Sequence, residues 1–423
     1  MKRIVMIMLL ILFLSAGVFA QDTPQIGDYL SVQQAIEIAR ANNPALNQFR
    51  EQIKLRRANR WGAVGLDSPR LSYFKEGVPR TGASDFLEKR WTITQAIDFP
   101  LTSLFRLNRL GGEIGGLELK LQADDLQLKA SVKKAYANLA YALEIYHLRR
   151  QQLHIMDDLR DAVTTRLEVG ESSELELMNA DIQLAEARNE LSNADLQFER
   201  SRYDLFNVIG LNPEEQSYGI DFPDTLKYSY ISIEQEDVLQ LLEQQPEYIA
   251  AYRNMSAANW GVKEAWSAML PKIDFSYFVM DLGTGYDFYG FEFGLSIPLW
   301  LPFNERSRIQ SANAIENSFV WREREVYLDL KRRIENAWHA YDTSQRNIDR
   351  YHEIIRVKSR TLLTLTMEGY RVGELDILAA FQAQSTFLVT EQRYFEALRD
   401  YYFELIELEQ FLQKDLVFTT STQ

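Results

Sequence analysis

The sequence predicts a mainly α protein with a small β part, built as a duplicated helix–strand–strand–helix unit. Three observations carry this: where the prolines fall, how apolar residues repeat between them, and how the two halves superimpose. The prolines lie at 24, 44, 69, 79, 100, 213, 223, 246, 271, 298 and 302. None falls between Pro100 and Pro213, and none follows Pro302. Proline removes a backbone donor and clashes with the preceding helical turn, so both spans can be almost wholly helical. A helix over 103–169 would run about 100 Å at ~1.5 Å per residue, far beyond what a compact globule needs.

Inside these arms the apolar residues recur every seven. Leu177, Leu184, Leu191, Phe198 and Leu205 form one seam, flanked by Ala180, Ala187, Ala194, Ser201 and Val208. The last arm repeats it with Ala380, Phe387, Tyr394, Tyr401 and Leu408, beside Ala383, Thr390 and Ala397. The outgoing arms show Val132, Leu139, Tyr146 and Leu153, then Tyr327, Ile334, Tyr341, Ile348, Ile355 and Leu362. Sustained heptads predict helices packed side by side, with the small residues permitting close approach. Each arm turns back at glycine, in Arg166-Leu-Glu-Val-Gly170-Glu and Gly369-Tyr-Arg-Val-Gly373-Glu.

The halves are copies. An offset of 202 maps Pro44, Pro69 and Pro100 onto Pro246, Pro271 and Pro302, and an offset of 203 maps Val169-Gly170-Glu171 onto Val372-Gly373-Glu374. One inserted residue therefore separates the two registers, as expected of a duplication. The predicted repeats are 21–210 and 211–423. The first holds strands near 69–79 and 86–100 and a helical hairpin over 103–210 with its tip at 166–176. The second holds strands near 272–281 and 287–300 and a hairpin over 303–412 with its tip at 369–378.

The strands show themselves as a change of period. Phe291, Phe293, Leu295 and Ile297 alternate with Gly290, Glu292, Gly294 and Ser296, and Trp91, Ile93, Ile97 and Phe99 alternate with Thr92, Thr94, Ala96 and Asp98. Ile273, Phe275, Tyr277 and Val279 form a third strand, and Leu71 and Tyr73 open a fourth. One apolar and one polar face suit lipid outside and water inside. Four strands cannot close a barrel alone, and an open edge in lipid leaves backbone groups unpaired. The sheet is either soluble or part of a barrel closed jointly by several chains.

The first twenty residues point to export. Lys2 and Arg3 precede an apolar run, and Val18-Phe19-Ala20 fits a small-x-small cleavage site, so 1–20 reads as a secretory signal peptide. Cleavage would take the formal net charge from −14 to −16, which disfavours nucleic acid and anionic lipid surfaces as main partners. The chain has no cysteine. Disulfides, thiolate metal sites and a lipid anchor on a Cys after the cleavage site are thereby excluded.

This pattern resembles the TolC family of outer-membrane efflux proteins. The resemblance rests on the duplicated order, on Asn43-Pro44-Ala45-Leu46 with its copy Gln245-Pro246-Glu247-Tyr248, and on Val169-Gly170 and Val372-Gly373 at the turns. It implies a homotrimer in the outer membrane, with a twelve-stranded β-barrel and a periplasmic α-barrel of helical hairpins. It also implies that Val169, Gly170, Glu171, Val372, Gly373 and Glu374 dock a periplasmic adaptor attached to an inner-membrane pump, expected to be of the RND type. Cargo would be small molecules or metal ions, conducted passively. The family often carries an acid six residues after the tip glycine. Glu176 stands there in the first repeat, but Ala379 stands there in the second, where Asp376 lies nearest. Glu176 and Asp376 are the candidate periplasmic gate.

Gly111-Gly112 and Gly115-Gly116 predict a close backbone approach below the barrel. Trp91, Trp300, Phe99 and Phe303 are candidates for an interfacial girdle. His147, His154, His339 and His352 lack metal-ligand spacing. No phosphate loop, nucleophile elbow or dinucleotide fingerprint is present, so neither an enzyme nor a cofactor is expected. Two alternatives stay open: an exit duct for type I protein secretion, and a soluble periplasmic coiled-coil scaffold.

Overall fold

The computed structural model describes residues 30–78, 86–211, 226–283, 287–296 and 304–418. The expected signal peptide lies outside them, as do Trp300 and Phe303.

In the first repeat, α1 (Val32–Asn42) and α2 (Pro44–Gly62) lead into β1 (Arg70–Glu76) and β2 (Glu88–Ile97). Then follow α3 (Pro100–Glu168) and α4 (Glu174–Ile209). The second repeat has α5 (Gln235–Leu239), α6 (Pro246–Ser267), β3 (Lys272–Asp281) and β4 (Asp287–Ser296), followed by α7 (Asn304–Arg350), α8 (Arg356–Arg371) and α9 (Ile377–Leu412). Three of the paired prolines are helix starts, while Pro69 and Pro271 lead into β1 and β3. Pro44, Pro100 and Pro246 each occupy the first turn, where the missing N–H has no intrahelical acceptor to lose. Asn43 caps α2 by accepting from Leu46 N at 3.0 Å. Its counterpart Gln245 does not cap. It is buried, and its Nε2 donates to Phe411 O at 2.7 Å, tying the start of α6 to the end of α9.

The helices pack lengthwise. α3, at 69 residues, runs past α4, α6 and α9 in turn. Around the middle of the arms the largest core joins Ala137 and Ala140 of α3, Ile334 and Tyr341 of α7, and Leu398, Tyr401 and Leu405 of α9. A second cluster sets α1, through Ile36 and Ala39, against Val132, Tyr136 and Leu139 and the end of α4. The extended connector before α5 has carbonyls without strand partners, and aromatic side chains satisfy them. Tyr402 Oη donates to Lys227 O and Tyr401 Oη to Ser229 O, both at 2.9 Å, and Trp338 Nε1 donates to Ile233 O at 3.0 Å.

One expected seam is corrected. Ile334, Tyr341 and Ile348 are buried, but Ile355 and Leu362 are exposed. Between α7 and α8 the chain makes a single π-turn, Tyr351–Ile355. A π-turn adds one residue to a helix and rotates everything beyond it. The seam continues one position later, with Arg356 and Leu363 half-buried and Tyr370 fully buried. This is where the two offsets separate. Val132 and Leu139 correspond to Ile334 and Tyr341 at 202, whereas Met156 and Val163 correspond to Ser359 and Thr366 at 203, and all eight are buried. The inserted residue of the second repeat is the π-turn.

The strands form one antiparallel sheet in the order β1-β2-β3-β4. The expected hairpins β1–β2 and β3–β4 are joined through β2–β3, where Ile93 pairs with Tyr277 and Ile97 with Ile273. The outer edges of β1 and β4 have no strand partner among the described residues.

Candidate functional site: the duct wall and the hairpin tips

Strand register sorts the sheet into two faces. One carries Leu71, Ile93, Tyr277 and Phe291 in a row, then Gln95, Phe275 and Phe293, then Ile97, Ile273 and Leu295. Phe291 and Phe293 are 64% and 76% exposed. Toward the strand ends remote from the helices, this face bears Tyr73, Trp91 and Tyr289, with Tyr73 and Trp91 rings 4.6 Å apart. Beyond them come Lys75, Lys89, Asp281 and Asp287, where Lys89 Nζ lies 3.7 Å from Asp281 Oδ2. An apolar band, an aromatic row and then charge is the order a bilayer imposes from hydrocarbon to headgroup. The opposite face carries Arg70, Ser72, Thr92, Thr94, Asp274, Ser276 and Glu292, with Thr94 Oγ1 and Ser276 Oγ at 2.9 Å. Trp91 thus stands in the aromatic row. Phe99 instead precedes the first turn of α3.

Just past the sheet, α3 and α6 approach closely. A Cβ on Gly112 would meet Ala257 Cβ at 2.8 Å, and one on Gly116 would meet Asn254 Oδ1 at 2.3 Å. Gly111 has no such neighbour. Nearby, Glu264 is buried between Arg106 Nε at 2.9 Å and Arg109 Nε at 2.8 Å, which locks the start of α3 to α6.

At the far end the two tips have the same build. Gly170 and Gly373 sit at φ +81° and +80°, the left-handed conformation in which a side chain is strained. Glu171 N donates to Arg166 O at 2.8 Å and Glu374 N to Gly369 O at 2.9 Å, the bonding of a Schellman turn. Val169 and Val372 are left 68% and 72% exposed beside Glu171 and Glu374. Ser173 caps α4 by accepting from Glu176 N at 3.3 Å, and Asp376 caps α9 by accepting from Ala379 N at 2.8 Å. Glu176 also accepts from the Ser172 hydroxyl. Asp376 therefore holds the start of α9, whereas Glu176 is itself held in the first turn of α4 by Ser172 and the Ser173 cap, which their positions after a tip glycine did not reveal.

Arg166 joins the tips. Its Nη1 donates to Tyr370 O at 2.9 Å, and its guanidinium lies 5.0 Å from the centre of the Tyr370 ring. Burial raises the Tyr370 pKa, Arg166 opposes that and Glu176 adds to it. The Tyr370 hydroxyl is buried without a hydrogen-bond partner among the described residues. The sequence signal for this link was an arginine four residues before a tip glycine, on the helix facing a tyrosine three before the other.

The histidines do other work. His352 lies against Tyr228 and Tyr394, and His154 pairs with Asp158 at 3.7 Å on the surface. Among the described residues no group of metal-ligating side chains is found, and no helix is long and apolar enough to cross a membrane.

A four-stranded sheet with a bilayer-ordered face, set on hairpins about 100 Å long, defines an outer-membrane channel of the helical-duct class. The chain belongs to the outer membrane efflux protein family, whose model matches residues 91–211 and 238–412. No curated protein sequence matches it. Solved structures share its fold. The outer membrane protein VceC of Vibrio cholerae superimposes with a TM-score of 0.75 at 17% identity, covering 90% of this chain and 95% of that one. The CmeC outer membrane channel of Campylobacter jejuni gives 0.75 at 14% identity, covering 90% and 85%. The open state of the MtrE outer membrane channel of Neisseria gonorrhoeae gives 0.74 at 16% identity, covering 91% and 90%.

Proposed function

We propose that three copies of this chain close a twelve-stranded barrel in the outer membrane. Their hairpins would form a periplasmic tunnel, the passive exit duct of a tripartite efflux system. The observation that carries this is the pair of free sheet edges, on β1 and β4, flanking a face ordered for lipid. Backbone groups left unpaired in hydrocarbon cost several kcal/mol each. Pairing β4 of one copy with β1 of the next removes both edges.

The exposed Val169 and Val372, each beside an acid at a left-handed glycine turn, supply two similar apolar knobs for a periplasmic adaptor. The inner-membrane pump behind it is taken as RND-type on the family resemblance. Glu176 and Asp376 contribute negative charge at the same end. Asp376→Asn keeps the capping oxygen of α9 and Glu176→Gln keeps an acceptor for Ser172 while both remove charge, so a changed ion selectivity would come from charge alone.

The test is to purify the mature protein from outer-membrane fractions, size it in detergent and record from planar bilayers. A trimer that conducts supports the reading. Release by osmotic shock as a water-soluble monomer would overturn it.

A further inference from the structure

The face of the sheet opposite the lipid band is not polar throughout. At the ends remote from the helices one row holds Phe74, Arg90, Met280 and Phe288, and Phe278 follows in the next, laid over Gly290. A Cβ on Gly290 would stand 2.4 Å from the tip of the Phe278 ring, so the ring fills the space that the glycine leaves. Phe74 and Phe288 are 47% and 46% exposed. On the lipid side this row lies between Tyr73, Trp91, Val279 and Tyr289 on one hand and Lys75, Lys89, Asp281 and Asp287 on the other. Where the lipid side passes from aromatic to charged, the inward side carries apolar side chains around Arg90. A preference for lipid cannot explain the inward set.

Arg90 does not make this patch a cation site. Its guanidinium carbon lies 5.9 Å from the centre of the Phe74 ring and 5.5 Å from that of Phe278, and it pairs with Glu88. Held between two ring faces and neutralised by an acid, it presents a flat, locally neutral surface.

We propose that Phe74, Phe278, Met280 and Phe288, with Arg90 between the rings, form an aromatic collar inside the outer end of the barrel. This collar is a contact station for apolar, aromatic solutes leaving the duct. The inference rests on the trimeric duct reading. Twelve strands about 4.8 Å apart and tilted ~40° make a ring of about 12 Å radius, and three copies of the patch project inward from it. Flat aromatic solutes stack on such a surface, whereas hydrated ions and sugars gain nothing from it. The cargo this favours is aromatic small molecules rather than metal ions.

Because the chain has no cysteine, single cysteines report which face is wet. In the full-length protein reconstituted in lipid, Phe288→Cys should react with a charged, membrane-impermeant maleimide added outside, and Phe291→Cys should not. Equal labelling of both, or of Phe291→Cys alone, overturns the duct reading itself. Crystal violet, a three-ring dye, added to the outer side of a planar bilayer should block wild-type current, while maltotriose should not. The Phe74→Ser/Phe288→Ser variant should need about tenfold more dye, as expected on removing aromatic pairings. Phe288→Ser alone, at an exposed position, should give a smaller shift in the same direction should the double variant yield no channels. An unchanged dye response in conducting channels, with Phe288→Cys labelled, overturns the collar and leaves the duct standing.

Discussion

Arg356 Nε lies 2.8 Å from Oε1 and 2.9 Å from Oε2 of Glu391, and it reaches them because the π-turn just before it has moved the seam by one residue. Arg360 adds a second guanidinium at 3.1 Å. The Glu391 side chain is only 2% exposed, so the turn has placed a charged pair where the heptad placed Ile355.

The two ends of that pair should respond unequally to substitution. Glu391→Leu frees two arginines that can swing toward water, whereas Arg356→Met strands a buried carboxylate on Arg360 alone. Removing one partner of a buried pair costs roughly 3 kcal/mol, so Arg356→Met should lower the melting temperature in detergent clearly more than Glu391→Leu. Equal losses would mean that the acid is not effectively buried.

Deleting the exposed Glu353 should convert the π-turn into regular helix. Residues beyond it would then rotate back by one position, expelling Ser359, Thr366 and Tyr370 from the contact with α9. The expected outcome is faster proteolytic cleavage between 356 and 376, with the region around Tyr341 unaffected. A cleavage pattern like that of the parent would show that the extra residue is absorbed elsewhere.

The C-terminal tail should loosen in acid. Lys133, fully buried, donates to Glu409 and Asp415 at 2.7 Å and to Val417 O at 3.1 Å, while Lys129 reaches Asp415 at 2.6 Å. Burial alone would raise the Asp415 pKa, but hydrogen bonds from Lys129 and Lys133 outweigh it and hold it below the ordinary carboxylate range. A depressed folded pKa gives stability that is present above about pH 4, the unfolded value, and lost as pH falls through the folded one. Protection of the amides over 413–418, taken relative to their intrinsic exchange rates, should fall as pH drops below ~4, and Asp415→Asn should flatten that response.

Glycine replacements should rank by cause. Gly170 has open space around it, so Gly170→Ala adds only left-handed backbone strain, about 1 kcal/mol. Gly112→Ala drives a methyl into Ala257 and should cost more by separating α3 from α6. Melting of the two variants decides the order.

Much of this was legible in the sequence, because proline, glycine and heptad spacing are local and strong signals. The proline-free spans after Pro100 and Pro302 marked the long helical arms, and Gly170 and Gly373 marked the turns. The alternation around Phe293 gave the lipid-suited face. Less legible was anything that depends on which residue a long helix meets. Ile355 and Leu362 continued a perfect heptad on paper, and only the width of one turn removed them from the core. The joining of the tips by Arg166 and Tyr370 couples residues 204 positions apart, and no local pattern encodes it. The capping role of Asp376 and the Ser172 bond of Glu176 were hidden because acids at exposed turns look alike until hydrogen bonds are drawn.

The extra residue sits in one hairpin and not in its copy. In a ring of three chains, six hairpins would stand side by side but in two alternating kinds. Such a ring returns to itself after a third of a turn and not after a sixth. A partner docking beneath such a ring would meet tips of like build carried on arms of two kinds.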